Sequence, residues 1–144
     1  MCYPLWIEKT AKRGIAISSD SATAYVTDFI SRNRKAGIHV IDLSTLQKTG
    51  TINLQEDITT IDVENESRGV PNYLSSITIS PDARHAWIPS NKVNLGRGGF
   101  RDGQALDFES TVRSILNKID LSREQETFDA QIDLDDRSQP KAVA

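Results

Sequence analysis

The chain has a single cysteine, Cys2, among its 144 residues, and only 6% of the residues are aromatic. One cysteine excludes an internal disulfide, a Cys-x-x-Cys-His haem attachment motif and a cysteine zinc cluster. No apolar run approaches the roughly 20 residues of a membrane-spanning helix. Residues 1–7 are too short and too weakly basic for a signal peptide. Taken alone, the chain is therefore expected to be cytoplasmic and to carry no cofactor.

The chain also has little excess of charge of either sign. The formal net charge of −3 gives no electrostatic reason to expect nucleic acid or an anionic membrane as a partner. The short basic tract at residues 32–35 is interpreted as a solvated loop. His39 and His85 lack a second histidine at metal-ligand spacing, so a structural or solvent-facing role is expected for both.

A short pattern that occurs twice organises the sequence. The run Gly14-Ile15-Ala16-Ile17-Ser18-Ser19-Asp20 has a counterpart in Ser76-Ile77-Thr78-Ile79-Ser80-Pro81-Asp82, which begins 62 positions later. Each copy is an alternating apolar run, a turn, and a second run with an aromatic residue, Tyr25 or Trp87. This pattern predicts a β-hairpin that is repeated.

Each hairpin continues into a second one. In the first unit, strands are predicted at residues 14–18, 23–28, 38–43 and 48–54. In the second unit, they are predicted at residues 76–80, 85–89, 112–121 and 127–134. Asp42 and Asp120 recur at one repeat position, where they are expected to accept backbone N–H bonds in a turn.

Two four-stranded antiparallel meanders followed by the opening of a third predict an all-β fold built from β-propeller blades, an incomplete propeller. Residues 1–12 are interpreted as a strand of a preceding blade. Residues 13–72 form the first blade with a long acidic connection. Residues 73–139 form the second blade with a Gly/Arg-rich insertion at 90–111, and residues 140–144 begin a further blade. Two blades leave apolar faces bare, so the remaining blades of the same propeller or self-association are expected to cover them.

The first unit resembles a known repeat. Residues 13–18, 25–27 and 40–43 (Arg-Gly-Ile-Ala-Ile-Ser, Tyr-Val-Thr and Val-Ile-Asp-Leu) are similar to the YVTN-type β-propeller repeat of bacterial surface and periplasmic proteins. The resemblance implies a periplasmic or extracellular location. Residues 91–113 also resemble an insertion in larger members that carry c-type cytochrome domains. The family has glycine after the turn aspartate, where Ser21 and Ala83 stand here. Since a non-glycine residue with positive φ is strained, a changed turn type is expected at both.

Function is expected on one face of the array. Connections after the first and third strands of each unit are tight turns, whereas those after the second and fourth are long (residues 29–36, 55–72 and 90–110). Long connections on a rigid scaffold are where binding usually resides. The candidate ligand-binding residues on this face are Arg68, Asn72, Tyr73, Asn91, Lys92, Asn94, Arg97, Arg101 and Asp102.

Two functions follow from these observations. The first is a non-catalytic scaffold or binding segment of a larger propeller, whose long-connection face meets a protein or a small anionic ligand. Glycines 96, 98, 99 and 103 would let backbone N–H groups converge on such an anion. The second is a fragment of a propeller enzyme, lactonase-like or attached to a haem c domain, with Asn72 or Asn91 as a metal ligand. No catalytic constellation is found in the sequence.

Overall fold

A computed structural model describes residues 11–63 and 66–134 of the chain. Most of the predicted N-terminal segment and all of the predicted further strand at residues 140–144 lie outside these ranges. The described chain is all-β and consists of two antiparallel sheets. The predicted fold class is confirmed.

The first sheet is a meander of four strands in chain order. These are β1 (Lys12–Ile17), β2 (Thr23–Asp28), β3 (Ala36–Asp42) and β4 (Gln47–Leu54). Each strand lies within two residues of its prediction at either end. Apolar residues alternate along β3 and β4, and cross-strand pairs such as Ile38 and Ile52 place them on one face.

The second sheet is also four strands wide, but each of its two outer strands is divided into two short segments. Its strands are β5 (Val70–Asn72), β6 (Thr78–Ile79), β7 (His85–Val93), β8 (Val112–Asp120), β9 (Gln125–Glu126) and β10 (Ile132–Asp133). Both β5 and β6 pair with β7, and both β9 and β10 pair with β8. The outer positions of this sheet are therefore each shared by two short strands.

The second unit differs from the prediction in four details. The strand expected at 127–134 contains a 3₁₀ turn, Phe128–Ala130. Strand β5 was not predicted, and β7 is longer than expected because it pairs with β8 as far as Val93. A single helical turn, α1 (Phe108–Thr111), ends the insertion, where no helix was expected.

The hydrophobic core lies between the two sheets. It contains residues from β2, β3 and β4 on one side and from β7, β8 and residues 74–77 on the other. The buried members are Tyr25, Ala36, Ile38, Val40, Ile52, Leu54, Leu74, Ile77, Ala86, Ile88 and Ile119. A smaller cluster of Ala24, Val26 and Ile41 lies on the opposite face of the first sheet. The sheets thus pack face to face, as adjacent blades do.

Gly14 lies at a close approach between the first sheet and the chain that enters the second. A Cβ atom at this position would come within 2.8 Å of the Ser76 backbone. The N–H of Gly14 donates to Thr27 Oγ1 at 2.9 Å, and Thr27 Oγ1 donates to the Leu74 carbonyl at 3.0 Å. A buried hydroxyl therefore joins β1 and β2 of the first sheet to the chain that enters the second.

The repeated turns have the same hydrogen bonds in both copies. Asp42 accepts backbone N–H bonds from Ser44 and Thr45, and Asp120 accepts them from Ser122 and Arg123, at 2.8–3.1 Å. The role predicted for both aspartates is confirmed. The expectation of a changed turn at Ser21 and Ala83 is wrong, since both residues keep positive φ angles of 59° and 56°.

Candidate binding surface

The connections divide between the two ends of the sheets as predicted. The tight turns of both sheets meet at one end, where Ser18, Asp20, Arg84 and Ser122 line one shared hollow. The long connections meet at the other end. There Asn72 Oδ1 accepts the N–H of Ser31 at 2.9 Å, which ties the first long connection to β5. We call this second end the long-connection face.

A buried ion pair supports the long-connection face. Lys92 Nζ on β7 donates to Asp57 Oδ2 at 3.0 Å, and both side chains are almost fully buried. Asp57 also accepts bonds from the backbone and the hydroxyls of Thr59 and Thr60. Burial alone would raise the pKa of Asp57, but the bonds from Thr60, Lys92 and Thr59 outweigh it and hold the pKa well below its usual range.

A second ion pair lies beside the first. Arg113 is the cross-strand neighbour of Lys92, and its guanidinium binds both carboxylate oxygens of Asp133 at 2.7 and 3.0 Å. Two cations directly opposite each other would destabilise the sheet, so each is neutralised by its own carboxylate. A cavity of about 260 Å³ opens beside Asp57, Lys92, Asp133, Glu66 and Phe128.

Arg68 and Asn94 converge on a third carboxylate, Asp62. Arg68 donates to it from both the backbone N–H, at 3.0 Å, and the guanidinium Nε, at 2.9 Å. Burial raises the pKa of Asp62, but the bonds from Arg68 and from the Asn94 side chain lower it by more. Asp102 is close enough to contribute to the raised pKa of Arg68 after Asp62. The structure therefore brings Arg68 and Asn94 together at Asp62.

The glycine-rich insertion is closed by its own polar groups. Asp102 Oδ1 accepts the N–H groups of Gly98 and Gln104 at 2.9 and 3.0 Å, and Asn94 Oδ1 accepts that of Gly96. The N–H groups of Gly96 and Gly98 are two of those predicted from the sequence to bind an external anion. Arg97 donates to Asp107 and to the Ala105 carbonyl. Arg101 is exposed.

Asn72, Tyr73 and Asn91 form a separate group at the end of β5. Asn72 and Asn91 are cross-strand partners. Tyr73 has a positive φ of 54°, which ends β5, and its ring packs against Phe29 at a centroid distance of 5.4 Å. The Asn91 side-chain oxygen is buried without a hydrogen-bond partner among the described residues.

The long connections also expose large apolar side chains. These are Ile30, Ile58, Ile61, Val63, Leu95, Phe100 and Leu106, whereas the tight turns of the described chain expose Leu46. Scattered exposed apolar residues are ordinary on a protein surface, but a group concentrated on one face is typical of an interaction site. The residues predicted from sequence on this face are polar or charged residues and Tyr73. They do not include these apolar residues, although each stands inside a polar connection.

Two titratable groups outside the candidate residues are also partly or fully buried. His39, for which a structural or solvent-facing role is expected, is buried and lies against Asp28 and Lys12. Glu126 on β9 accepts the Gln55 N–H at 2.6 Å, and burial raises the pKa of its carboxyl to about 7. Sequence position gave no signal for Glu126, because its burial depends on where β4 meets β9.

The described residues, 11–63 and 66–134, hold no cluster of three or more His, Cys, Asp or Glu side chains that could bind a metal ion. Their helices are also too short to cross a membrane.

Comparison with known proteins gives structural similarity without a family. No family model matches the chain, and no curated protein matches it. Among solved structures, the chain is similar to Kuenenia stuttgartiensis hydrazine synthase, with 13% sequence identity and a TM-score of 0.39. The match covers 86% of this chain and 37% of that one, so the chain spans little more than a third of the length of this structural neighbour.

Proposed function

We propose that the chain is a non-catalytic, protein-binding segment of a larger β-propeller of the YVTN repeat type, and that its partner docks on the long-connection face. The observation that carries this proposal is the concentration of exposed apolar side chains on that face. The all-β fold supports it, since two sheets packed face to face provide a rigid base for the connections.

Six of the seven apolar side chains come from two connections, and Ile30 comes from a third. Ile58, Ile61 and Val63 belong to residues 55–69, and Leu95, Phe100 and Leu106 belong to the insertion. Burying one such side chain contributes about 1.5–3 kcal/mol. Six of them would contribute on the order of 10 kcal/mol before the costs of association are subtracted. That gross energy suits a protein interface.

Both connections are held in place from within. The segment at 55–69 is closed by reciprocal backbone bonds between Asp57 and Gly69, both 2.9 Å long, and by the Asp57–Lys92 ion pair. The insertion is closed by Asp102 and Asn94. Loops that are already ordered lose less conformational entropy on binding. Because internal polar bonds hold these loops and their exposed apolar residues in place, the face is suited to docking a partner. A protein partner suits residues spread over two loops better than a small ligand does.

In the complete protein, we propose that further blades or a second copy cover the outer face of the first sheet. Ile15 and Ile17 on β1 are 65% and 54% exposed there. A surface or periplasmic location accompanies this proposal, on the strength of the repeat resemblance.

Site-specific photo-cross-linking tests the docking face. A photo-reactive phenylalanine analogue replaces Ile61, Phe100 or Leu106 in the native host, and the same analogue at Leu46 on the tight-turn end is the matched control. We expect discrete cross-linked adducts from the first three positions and none from Leu46. Equal adducts from Leu46, or none from the long-connection face, would contradict the proposal.

A further inference from the structure

A second surface, on the outer face of the first sheet, has a charge opposite to that of the chain. A cavity of about 270 Å³ lies beside Arg32, Lys35 and Lys48, and Asp28 is the one carboxylate among the described residues that line it. Asp28 is itself ion-paired with Lys12. The chain carries a formal net charge of −3, so this local excess of positive charge is not an average property of the surface.

The basic tract that enters this cavity is a tight turn. Residues 32–35 form a two-residue hairpin turn in which Asn33 and Arg34 have positive φ angles of 50° and 60°, as a type I′ turn requires. Arg32 and Lys35 exchange both backbone hydrogen bonds, at 3.0 and 2.9 Å, so they stand directly opposite each other. The turn therefore holds Lys35 at the edge of the cavity.

The floor of the cavity contains a buried histidine. His39 is 3% exposed, and its Nε2 lies 2.9 Å from Lys12 Nζ and 3.1 Å from Asp28 Oδ2. Its Nδ1 is buried without a hydrogen-bond partner in the described part of the chain. Burial lowers the pKa of His39, although its contact with Asp28 opposes this. Near neutral pH the cations available to a ligand are therefore Lys35 and Lys48.

The remaining lining supplies hydrogen-bond donors. Asn33, Thr51 and Asn53 lie around the opening, and each carries an amide or hydroxyl donor. Lys35 and Lys48 form no ion pair with any described residue. Cations and neutral donors around a polar hollow are what a tetrahedral oxyanion requires.

We propose that this cavity binds a small dianion, a phosphate or sulfate group, between Lys35 and Lys48. Its loop residues belong to the first long connection (residues 29–36) and its strand residues to the outer face of the first sheet. The site therefore adjoins both proposed interfaces, and it is tested on the chain without a partner.

Titration of the full chain with inorganic phosphate, followed by ¹⁵N–¹H NMR at constant ionic strength, tests this site. We expect saturable shifts at Asn33, Lys35 and Asn53, and a dissociation constant at least fivefold weaker in the double variant Lys35→Gln/Lys48→Gln. The matched control is Arg84→Gln/Arg123→Gln, which removes the same charge at the tight-turn end. It should bind phosphate as tightly as the wild type.

Two further measurements test where the anion binds and whether it is free or part of a larger molecule. Sulfate stays a dianion over the titration range of His39, whose other charged neighbours are Lys12, Asp28 and Lys48. We expect saturating sulfate to raise the pKa of the His39 ring, since a nearby dianion favours the charged form. Binding of glucose 6-phosphate but not of inorganic phosphate would identify an anion carried on a larger molecule. Non-saturable shifts, equal weakening in both double variants, or an unchanged His39 titration would overturn the proposal.

Discussion

Ser21 and Ala83 stand 62 positions apart and occupy the same left-handed backbone position, with φ angles of 59° and 56°. Around each, the hydroxyl of Ser18 or Ser80 donates to Asp20 or Asp82 Oδ1, at 2.6 and 2.5 Å. These bonds fix the turn from its first residue onward. The network therefore keeps the turn type despite the missing glycine.

Glycine at these positions is expected to stabilise the protein. A left-handed non-glycine residue costs roughly 1–2 kcal/mol. Glycine removes this cost, but it loses more conformational entropy on folding, which offsets about 0.5–1 kcal/mol of the gain. Ser21→Gly and Ala83→Gly should therefore each raise the free energy of unfolding in urea by up to about 1 kcal/mol. Ala22→Gly, one residue beyond the strained position, is the control and should lower it. Destabilisation by Ala83→Gly would show that the turn is not strained.

The sheets could be predicted because local patterns determine them. Alternating apolar residues identified β1 to β4 closely, and the repeat transferred that register to β7 and β8. The prediction failed where tertiary packing overrides the pattern. Strand β5 contains Pro71 and only three residues, so it has no periodicity to detect, and it forms because the lengthened β7 offers an edge. The 3₁₀ turn at Phe128–Ala130 breaks a segment whose apolar spacing suited a strand.

The candidate surface was predictable in location but not in composition. Strand order alone placed the long connections at one end of the sheets. Which of their polar residues would be used internally depends on contacts across many positions, as between Lys92 and Asp57. Asp102 likewise accepts the N–H groups of its own loop. Sequence spacing carries no information about such pairings.

Glu126 is expected to make stability depend on pH. Its carboxyl has a pKa raised by burial from 4.5 to about 7, so the folded state holds a proton that the unfolded state releases. Its contribution is therefore most favourable below pH 4.5 and is lost as the pH rises to about 7. Glu126→Gln should be neutral near pH 4 and should stabilise the protein at pH 8 by on the order of 2 kcal/mol.

Urea denaturation of both proteins between pH 4 and pH 8 measures this difference directly. Glu124→Gln is the control, because Glu124 is exposed in the neighbouring turn and should give a difference that stays small at every pH. A difference for Glu126→Gln that does not grow with pH would show that the carboxyl titrates normally.

Replacing Asp57 is expected to lower the free energy of unfolding more than replacing its ion-pair partner Lys92. Asp57→Ala removes five hydrogen-bond acceptor contacts and leaves the Lys92 ammonium buried without its carboxylate. The loss should be about 3–5 kcal/mol of unfolding free energy. Lys92→Met should cost less, since Asp57 keeps its bonds from Thr59 and Thr60.

A double-mutant cycle separates the energy of the Asp57–Lys92 ion pair from that of the bonds between Asp57 and the turn residues Thr59 and Thr60. Asp57→Ala/Lys92→Met should be more stable than Asp57→Ala alone, because no buried ammonium remains. Arg34→Met is the surface control. Arg34 pairs with Glu56 while remaining about half exposed, and its loss should cost less than about 1 kcal/mol. Equal costs for the buried and the exposed pair would contradict the assignment of Lys92 to the interior.

The outer face of the first sheet is expected to drive association. Ile15 and Ile17 alternate with inward-facing residues on β1, so both side chains leave the sheet on the side away from the core. Exposed apolar side chains on an edge strand favour pairing with another chain. Ile15→Lys/Ile17→Lys should therefore lower the average mass measured by light scattering at tens of micromolar, without changing the sheet signal in circular dichroism.

Leu46→Lys is the control at similar exposure in a tight turn, and it should leave the mass unchanged. Because lysine at an edge opposes strand pairing, a wild type that is monomeric throughout, or a double variant with the wild-type mass, would show that this face needs no covering.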